Sequence, residues 1–182
     1  MIIENTSIDG LFILKPTIFR DKRGYFTESY NQKKMNDLIE NINFVQDNDS
    51  KSVFGTVRGL HFQTPPFSQT KLIRCIKGEI LDVTVDLRKN STSFGQIERV
   101  LLSDKNNHQL FIPKGFAHGF SVLSNFAIVS YKVDNYYNSE YENGILWNDS
   151  SLGIDWKLKA HEVIVSEKDK SLPHLNNIVS PF

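Results

Sequence analysis

The sequence predicts a mainly β protein whose antiparallel strands form a sandwich or barrel, with little helix. Residues 81–87 alternate apolar and polar side chains, which is the pattern of a half-buried strand. Many short strands joined by turn residues are typical of antiparallel barrels and sandwiches. Further strand-like runs occur at 43–46, 53–63, 71–76, 97–102, 109–112, 118–123 and 126–134.

The turn residues between two of these runs indicate how the strands pair. Lys77-Gly78-Glu79 separates the run at 71–76 from the alternating strand at 81–87. A glycine-containing turn between two strand patterns is a hairpin signal. We therefore expect these two strands to form a hairpin.

Only two segments have helical patterns. Residues 31–42 place Met35, Leu38, Ile39 and Ile42 on one face, which predicts an amphipathic helix. A short helical turn is expected after Ser166, because Ser166 and Asp169 have the spacing of a capping box.

Size and charge limit the classes of function. The chain has 182 residues, which fits one domain spanning 1–182. Its 21 Lys and Arg balance its 21 Asp and Glu, and this neutrality argues against a protein that binds nucleic acid by neutralising phosphates. A local basic pocket for one small anion remains compatible with zero net charge.

Membrane and export signals are not expected from the sequence. It has no apolar run of the roughly 20 residues that a membrane span needs, and its start does not resemble a secretory signal. The single cysteine, Cys75, cannot form an internal disulfide. We therefore expect a cytoplasmic protein.

The segment GTVRGLHFQ at 55–63 places Arg58 and His61 on one strand. A regular pleat would point these two side chains to opposite faces, because their separation is odd. Gly59 between them permits a bulge or bend that would bring both into one cavity. A structural histidine and an edge-strand arginine are the alternative interpretation.

Two other strands carry polar side chains on apolar faces. Tyr131 shares a face with Val129 and Val133, and Lys71 shares one with Ile73. A core tyrosine with a satisfied hydroxyl and a lysine at a sheet edge are the commoner roles of such residues. The lining of an internal cavity is the functional alternative.

The segment FIPKGFAHGF at 111–120 places Pro113, Gly115 and His118 at the spacing of the second motif of cupin barrels, which often supplies a metal-binding histidine. The first cupin motif needs a His-x-His pair, but His61 is followed by Phe62 and Gln63. Three metal ligands cannot be assembled from these patterns, so we expect neither a metal nor another cofactor.

Eight short motifs follow one another between about residues 11 and 175. They are FRDKRGYFTE (19–28), QDNDSKS (46–52), GTVRGLHFQ (55–63), QTKLIRCIKGEILDVTVDLR (69–88), IPKGFAHGF (112–120), YKVDNYYNSEYE (131–142), ILWND (145–149) and SEKD (166–169). Together they resemble the dTDP-4-dehydrorhamnose 3,5-epimerases, nucleotide-sugar epimerases with a cupin-type jelly-roll barrel. The resemblance implies that fold, without a cofactor.

The resemblance also implies roles for individual residues. His61 matches the general base, Asp169 its partner carboxylate, Tyr131 the general acid, and Lys71 the cation at the enolate oxygen on C4. Residues that match substrate-contacting positions are Arg23, Glu28, Gln46, Asn48, Arg58, His118, Glu142 and Lys168, with Tyr137 at the position that stacks on thymine. N-terminal strands exchange between subunits in this family, so a homodimer is expected in which Arg23 and Glu28 complete the partner's site.

The implied chemistry suits these residue types. A 4-keto group acidifies the hydrogens on C3 and C5, so a base can leave an enolate and an acid on the other face can invert the carbon. His61, Tyr131 and Lys71 would serve as base, acid and enolate-stabilising cation. The expected reaction is inversion of C3 and C5 of dTDP-4-keto-6-deoxy-D-glucose, on the route to dTDP-L-rhamnose and polysaccharide.

Other functions remain open from the sequence. The same three residues would serve an epimerase that inverts C3 only, or one that acts on another nucleotide sugar or a heptose. A metal-dependent cupin enzyme and a non-catalytic sugar-binding barrel belong to different classes. The presence of both His61 and Tyr131 argues against the last.

Overall fold

The computed structural model describes residues 1–39 and 42–182, and most of its regular structure is β-strand. The strands are β1 (Ile2–Asn5), β2 (Phe12–Lys15), β3 (Ile18–Asp21), β4 (Gly24–Thr27), β5 (Gln46–Val53), β6 (Val57–Gln63), β7 (Lys71–Lys77), β8 (Glu79–Asp86), β9 (Ile97–Ser103), β10 (Gln109–Ile112), β11 (Phe116–Val122), β12 (Phe126–Val133) and β13 (Glu142–Gly144). The α-helices are α1 (Gln32–Leu38) and α2 (Glu167–Lys170), and single 3-10 turns occur at Ser139–Tyr141, Ala160–Glu162 and Leu175–Asn177.

The strands form two antiparallel sheets and a separate hairpin. The six-stranded sheet has the order β1-β2-β10-β7-β12-β5, and the five-stranded sheet has the order β13-β6-β11-β8-β9. Strands β3 and β4 pair only with each other among the described strands. The predicted fold class, mainly antiparallel β with a few short helices, is confirmed.

The main core lies between the two sheets. Ile73, Leu110 and Val129 of the six-stranded sheet pack in one cluster with Ile80 and Val122 of the five-stranded sheet. The sheets therefore face each other, as in a flattened barrel whose interior is shared by both walls.

Additional segments cover the outer face of each sheet. Residues 145–182 contribute Ile145, Leu152 and Trp156 to a cluster against the five-stranded sheet. Helix α1 packs Met35 against Leu14 and neighbouring residues of the other sheet. Neither α-helix of the described chain is long and apolar enough to span a bilayer.

The predicted hairpin between 71–76 and 81–87 is wrong. Strand β7 pairs with β10 and β12, whereas β8 pairs with β11 and β9 in the other sheet. Between β7 and β8 the chain crosses from sheet to sheet at Gly78, whose φ of +85° places it in the region that favours glycine. The two strands bury their side chains toward each other across the core instead of sharing hydrogen bonds.

The prediction of a half-buried strand at 81–87 is also wrong. Leu81, Val83 and the other odd-numbered residues pack under the C-terminal segment. Asp82, Thr84 and Asp86 alternate with them and each is 0% exposed. Both faces of β8 are therefore buried, because the segment 145–182 covers the apolar face and the polar face lies in the barrel interior opposite the six-stranded sheet.

Some element boundaries differ from the sequence prediction. The predicted strand at 43–46 is observed as β5 at Gln46–Val53, an edge strand whose polar sequence hides its pairing with β12. The predicted run 53–63 is broken by a turn before β6 begins at Val57. Five short strands, β1 to β4 and β13, were not predicted.

The predicted helix at 31–42 is shorter in the structure. Helix α1 begins after Asn31, whose side chain accepts a hydrogen bond from the Lys34 N–H. The prediction of Leu38 in the buried face is wrong, because Leu38 is 43% exposed while Met35 is fully buried. The predicted residues 40–41 lie outside the described part of the chain.

A β-bulge interrupts the pairing of β6 with β11. His61 lies opposite His118, but Arg58 lies opposite Phe120, so three residue steps on β6 match two on β11. The strands approach so closely here that a Cβ on Gly119 would lie 2.5 Å from the Arg58 carbonyl oxygen. The bulge changes the direction of the side chains on either side of Gly59, the residue that the sequence analysis identified as permitting a bulge.

This close approach predicts a steric cost for a side chain at Gly119. Gly119→Ala should lower the free energy of unfolding by about 1–3 kcal/mol, because two backbones must separate. Gly95→Ala is a control for an alanine without a steric clash, since its added Cβ meets nothing nearer than 3.9 Å and only its φ of +75° is unfavourable, at about 1–2 kcal/mol. Urea denaturation measures both, and a loss below about 1 kcal/mol in Gly119→Ala would contradict the steric argument.

Candidate active site

A cavity of about 160 Å³ opens between the two sheets. Its polar side chains come from both walls: Arg58, His61 and His118 from the five-stranded sheet, and Lys71 and Tyr131 from the six-stranded sheet. Ser50, Gly119, Phe120 and Val129 complete the lining. Five residues that the sequence predicted for the site therefore share one cavity.

His61 is held by Asp169 from the C-terminal segment. The His61 Nε2 lies 2.7 Å from the Asp169 Oδ1, and the second carboxylate oxygen accepts a hydrogen bond from the Gly59 N–H at 3.1 Å. This geometry fixes the imidazole with its Nε2–H toward the carboxylate and leaves Nδ1 to accept a proton. The predicted pairing of these two residues is present.

Asp169 is positioned by the first turn of α2. Ser166 caps this helix and accepts a hydrogen bond from the Asp169 N–H at 3.1 Å. Burial of the Asp169 carboxyl group favours a higher pKa, but the hydrogen bonds from His61 and Gly59 outweigh it and the pKa is lowered. Asp169 is therefore ionised near neutral pH and can stabilise a protonated His61.

Lys71 enters the cavity from the first residue of β7. Burial disfavours its charged form and lowers its pKa to about 8, against the attraction of Asp82 and then Glu142. A lysine with this pKa remains mostly protonated at neutral pH, yet it is poorly solvated. Such an ammonium group suits the stabilisation of an oxyanion that forms inside the cavity.

Tyr131 lies on β12, on the wall opposite His61, and packs against the inter-sheet core. Burial raises the pKa of its phenol, with Arg58 opposing the shift and Glu142 adding to it. The hydroxyl is therefore protonated near neutral pH. It combines the buried position of a core tyrosine with a place in the cavity wall.

Arg58 is oriented by a neighbour on the opposite sheet. Its Nε donates to the Ser52 Oγ at 2.9 Å. Arg58 and His61 also line a larger groove of about 490 Å³, together with Lys168 and Asp169. The cavity and this groove therefore meet at these two side chains.

His118 lies opposite His61 in the strand register and has a carboxylate partner of its own. The His118 Nε2 is 2.9 Å from the Asp82 Oδ2. The sequence analysis missed Asp82 as a site residue, because the alternation on β8 predicted that it faces solvent. The face of β8 that carries Asp82 is buried against the opposite sheet, and this long-range packing is not visible in the local pattern.

A polar network lies beside the cavity. Glu142 accepts hydrogen bonds from the Tyr137 hydroxyl at 2.5 Å and from the Lys168 ammonium at 2.6 Å. Desolvation of Glu142 is outweighed by these two contacts, and its pKa is lowered. Glu142 thereby holds together an exposed aromatic ring and an exposed cation that the sequence assigned to substrate binding.

The remaining predicted residues of β5 join this network. The Gln46 Nε2 donates to the Asn48 Oδ1 at 2.8 Å, and the Gln46 Oε1 accepts from the Tyr137 N–H at 3.4 Å. Buried Gln63, which was not predicted, accepts from the Asn138 N–H at 2.8 Å. Gln46 and Gln63 therefore fix the backbone of the loop that carries Tyr137.

Arg23 and Glu28 are not among the residues that line the cavity of the same chain. Arg23 lies at the tip of the β3–β4 hairpin and bonds to Asp21, with 85% of its side chain exposed. Glu28 contacts Lys34 at 2.7 Å. The structure of one chain thus leaves these two predicted residues apart from the others.

The arrangement defines a class of protein. An imidazole paired with a carboxylate faces a protonated phenol across a small cavity, and a buried ammonium and a guanidinium lie in the same cavity. This combination can remove and return protons on a small anionic molecule while stabilising a negative oxygen. The fold and site therefore define a β-barrel enzyme of the acid–base type.

Comparison with known proteins narrows the class. The family model for dTDP-4-dehydrorhamnose 3,5-epimerase matches residues 5–177. The dTDP-4-dehydrorhamnose 3,5-epimerase of Methanothermobacter thermautotrophicus is 50% identical over 167 residues, which is 91% of this chain and 90% of the relative. This protein belongs to the dTDP-4-dehydrorhamnose 3,5-epimerase family, as its sequence motifs indicated.

Solved structures agree with this assignment. The enzyme of that family from Elizabethkingia anophelis superimposes with a TM-score of 0.93 at 47% identity, over 97% of both chains. The Legionella pneumophila epimerase, solved in complex with dTDP-4-keto-L-rhamnose, has a TM-score of 0.93 at 46% identity, over 97% of this chain and 94% of the other. The protein is thus similar to carbohydrate epimerases in both sequence and fold.

Proposed function

We propose that this protein inverts C3 and C5 of dTDP-4-keto-6-deoxy-D-glucose to give dTDP-4-keto-L-rhamnose, the precursor of dTDP-L-rhamnose. The observation that carries the proposal is the cavity in which the His61–Asp169 pair faces Tyr131, with Lys71 in the same wall as Tyr131. The family to which the chain belongs supports the choice of substrate.

The first step is removal of the hydrogen next to the 4-keto group. The imidazole of His61 takes the proton from C3 or C5, and the C–H electron pair moves to form the C=C bond of an enolate. Asp169 stabilises the imidazolium that results, because it accepts the Nε2–H at 2.7 Å. A positioned base of this kind typically contributes about 10²- to 10⁴-fold in rate.

The second requirement is stabilisation of the enolate. The negative charge on the C4 oxygen forms in a small cavity between the two sheets, so a fixed and poorly solvated cation there acts strongly. We assign this role to the Lys71 ammonium. Its partial desolvation means that little water has to be displaced when the oxyanion forms.

The third step is proton return from the other face. Tyr131 and His61 lie on opposite walls, so a proton donated by the phenol reaches the carbon from the side opposite the base. The enolate electrons form the new C–H bond, the C4 carbonyl reforms, and the carbon is inverted. Because both C3 and C5 flank the same carbonyl, the same three groups can invert each carbon in turn.

The diphosphate and the thymine of the substrate need contacts outside the cavity. Arg58 and Lys168 line the adjoining groove and can neutralise phosphate charge. We assign thymine binding to the exposed ring of Tyr137, which Glu142 and Gln46 hold beside the cavity. Gln46, Asn48, Glu142 and His118 are further substrate contacts in this proposal.

We further propose that residues 1–182 act as one catalytic domain in a cytoplasmic homodimer. The β3–β4 hairpin supports the dimer, because Phe19 and Phe26 on it are 61% and 69% exposed and its Arg23 has no place in its own cavity. Exposed aromatic side chains on a projecting hairpin favour packing against another chain. Arg23 and Glu28 would then complete the site of the partner.

The reaction itself is tested by proton NMR of dTDP-4-keto-6-deoxy-D-glucose with the protein in deuterated water. Exchange at both C3 and C5, with a product that a rhamnose-forming reductase accepts, is expected. Exchange at C3 alone would replace the proposal by the single-position epimerase. Absence of exchange would reject this substrate and direct the search to other nucleotide sugars, with a metal assay on the purified protein for the metal-dependent alternative.

His61→Asn should abolish exchange and turnover, with a loss of at least about 10²-fold, because the amide cannot accept the proton. The NMR assay above measures it, and circular dichroism checks the fold. His161→Asn, at an exposed histidine far along the chain, is the control and should remain active. Full activity in His61→Asn would remove this residue from the mechanism.

Tyr131→Phe should impair turnover more than hydrogen exchange, because abstraction by His61 does not need the phenol. The ratio of exchange to product formation in deuterated water is the measured quantity. Tyr136→Phe, at a neighbouring tyrosine that is 64% exposed, should leave the ratio unchanged. Equal loss of exchange and turnover in Tyr131→Phe would contradict its role as a separate acid.

The exchange of hairpins predicts complementation between two inactive variants. Homodimers of Arg23→Ala and of His61→Asn should each lose activity, whereas subunits of the two, mixed under mild denaturant and refolded, should recover about a quarter of the wild-type activity. Half of the random dimers are mixed, and each mixed dimer has one intact site. Lys22→Ala, at the neighbouring position, is the control and should be active without any partner variant. If the mixture of Arg23→Ala and His61→Asn recovers no activity, the shared site is contradicted.

A further inference from the structure

A second histidine–carboxylate pair lies deeper in the barrel than the pair at His61. The Asp82 carboxylate comes from the central part of β8 and meets the His118 ring from β11 at 2.9 Å. Asp82 is 0% exposed, and the side chain of His118 is 11% exposed. The proposed mechanism assigns no role to this carboxylate.

The two carboxylates of the site differ in how well they are satisfied. Both oxygens of Asp169 accept hydrogen bonds, from His61 and from the Gly59 backbone. The Asp82 Oδ1 is buried without a hydrogen-bond partner in the described chain. A buried carboxylate with a free oxygen is costly unless an opposite charge lies near, so the cations of the cavity are the expected compensation.

Lys71 is the cation that matches this requirement. Four ionisable groups share the cavity with it: Arg58 and His61 on β6, His118 on β11 and Tyr131 on β12. The charges of Asp82 on β8 and Glu142 on β13 also act on it. Asp169 and Glu142 already bind His61 and Lys168, respectively. Asp82 is therefore the carboxylate of this set whose charge is least compensated by a cation of its own.

We propose that the Asp82 carboxylate is a positioning residue, which supplies the countercharge that keeps Lys71 as an ammonium group and orients the His118 ring toward the cavity. The inference rests on the proposed function, because it gives a purpose to the Lys71 charge in stabilising the enolate. Asp82 acts through Lys71 and His118 and does not itself touch the substrate.

The proposal specifies the states of Asp82 and the His118 ring. Burial raises the pKa of the Asp82 carboxyl group, with His118 and then Lys71 opposing the shift. The proposal requires the ionised form, which can only accept hydrogen bonds, so the His118 Nε2 carries the hydrogen. Burial lowers the pKa of His118, with the attraction of Asp82 opposing the shift. The ring is thus neutral, with Nδ1 free of hydrogen, and the charges that remain on Asp82 and Lys71 balance each other.

The first test removes the negative charge of Asp82 and keeps the shape of its side chain. Asp82→Asn removes a negative charge near Lys71, so the pKa of Lys71 should fall below its value of about 8. Activity that needs the ammonium is lost as pH rises through this pKa. The alkaline limb of kcat/KM should therefore move to lower pH by about one unit or more, with a loss of at least about 5-fold at pH 8.

Thr84→Val is the matched control for this variant. Thr84 lies two residues along the same strand and faces the same interior, is equally buried, and has a hydroxyl without a partner in the described chain. It carries no charge, so its replacement should leave the alkaline limb in place. A shift of the same size in Thr84→Val would assign the effect to packing and overturn the proposal.

Two NMR measurements test the inference without relying on catalysis. In protein labelled with ¹³C-lysine, the Lys71 ε-carbon, assigned with Lys71→Met, should titrate at lower pH in Asp82→Asn than in the unsubstituted protein. The ¹⁵N shifts of the His118 ring should show Nε2–H in the unsubstituted protein. An unchanged Lys71 titration or an Nδ1–H tautomer would overturn the proposal.

These measurements separate the two proposals. If the protein fails to epimerise the sugar but the Lys71 titration depends on Asp82, the proposed function fails and the electrostatic pairing stands. If epimerisation is found and the Lys71 titration does not depend on Asp82, the positioning role fails and the proposed function stands. Thermal unfolding of Asp82→Asn confirms that the comparison is made on folded protein.

Discussion

The close contact of β6 with β11 at Gly59 and Gly119 is the constraint on which the site depends. A regular strand would direct Arg58 and His61 to opposite faces, and only one of them could reach the barrel interior. The extra residue on β6 removes that restriction, and the absence of side chains at both glycines lets the two backbones meet. The guanidinium and the base share one cavity because of this local irregularity.

Charge burial links the site to the rest of the fold. Placing Lys71, Asp82 and His118 between two sheets costs desolvation energy, which the apolar clusters on both sides of the five-stranded sheet must offset. The C-terminal segment contributes both to this apolar packing and to the site, since it covers the outer face of β8 and places Asp169 beside His61. The segment that supplies the carboxylate partner of His61 therefore also shields β8 from solvent.

Local sequence patterns predicted four of the strands closely. The runs at 71–76, 97–102, 109–112 and 126–134 agree with observed strands to within one residue at each end, because apolar and β-branched side chains mark them. Partners across the barrel were not predictable in this way. The turn at Gly78 has the composition of a hairpin, but its strands belong to different sheets, and Asp82 has the periodicity of a surface residue. The pairing of these strands and the burial of Asp82 both depend on contacts between residues that are distant in sequence.

The members of the site were easier to predict than the topology. Imidazole, phenol and ammonium groups on otherwise apolar strands are costly to bury, which made His61, Tyr131 and Lys71 candidates. The pattern alone left structural roles open for all three, and the resemblance of the surrounding motifs to the epimerase family supplied the functional ones. Residues that position others, such as Asp82 and Gln63, lack this signal, because short polar side chains also occur on every surface.

The division between inner cavity and outer network bears on how specificity arises. In the proposed reaction, base, acid and enolate cation are fixed by the two sheets and treat either carbon beside the carbonyl alike. In this proposal the choice between one inversion and two comes from how the sugar is held, a role that we assign to the network of Tyr137, Glu142 and Lys168 outside the cavity. The more exposed position of this network allows substrate preference to change while the buried acid–base groups remain in place.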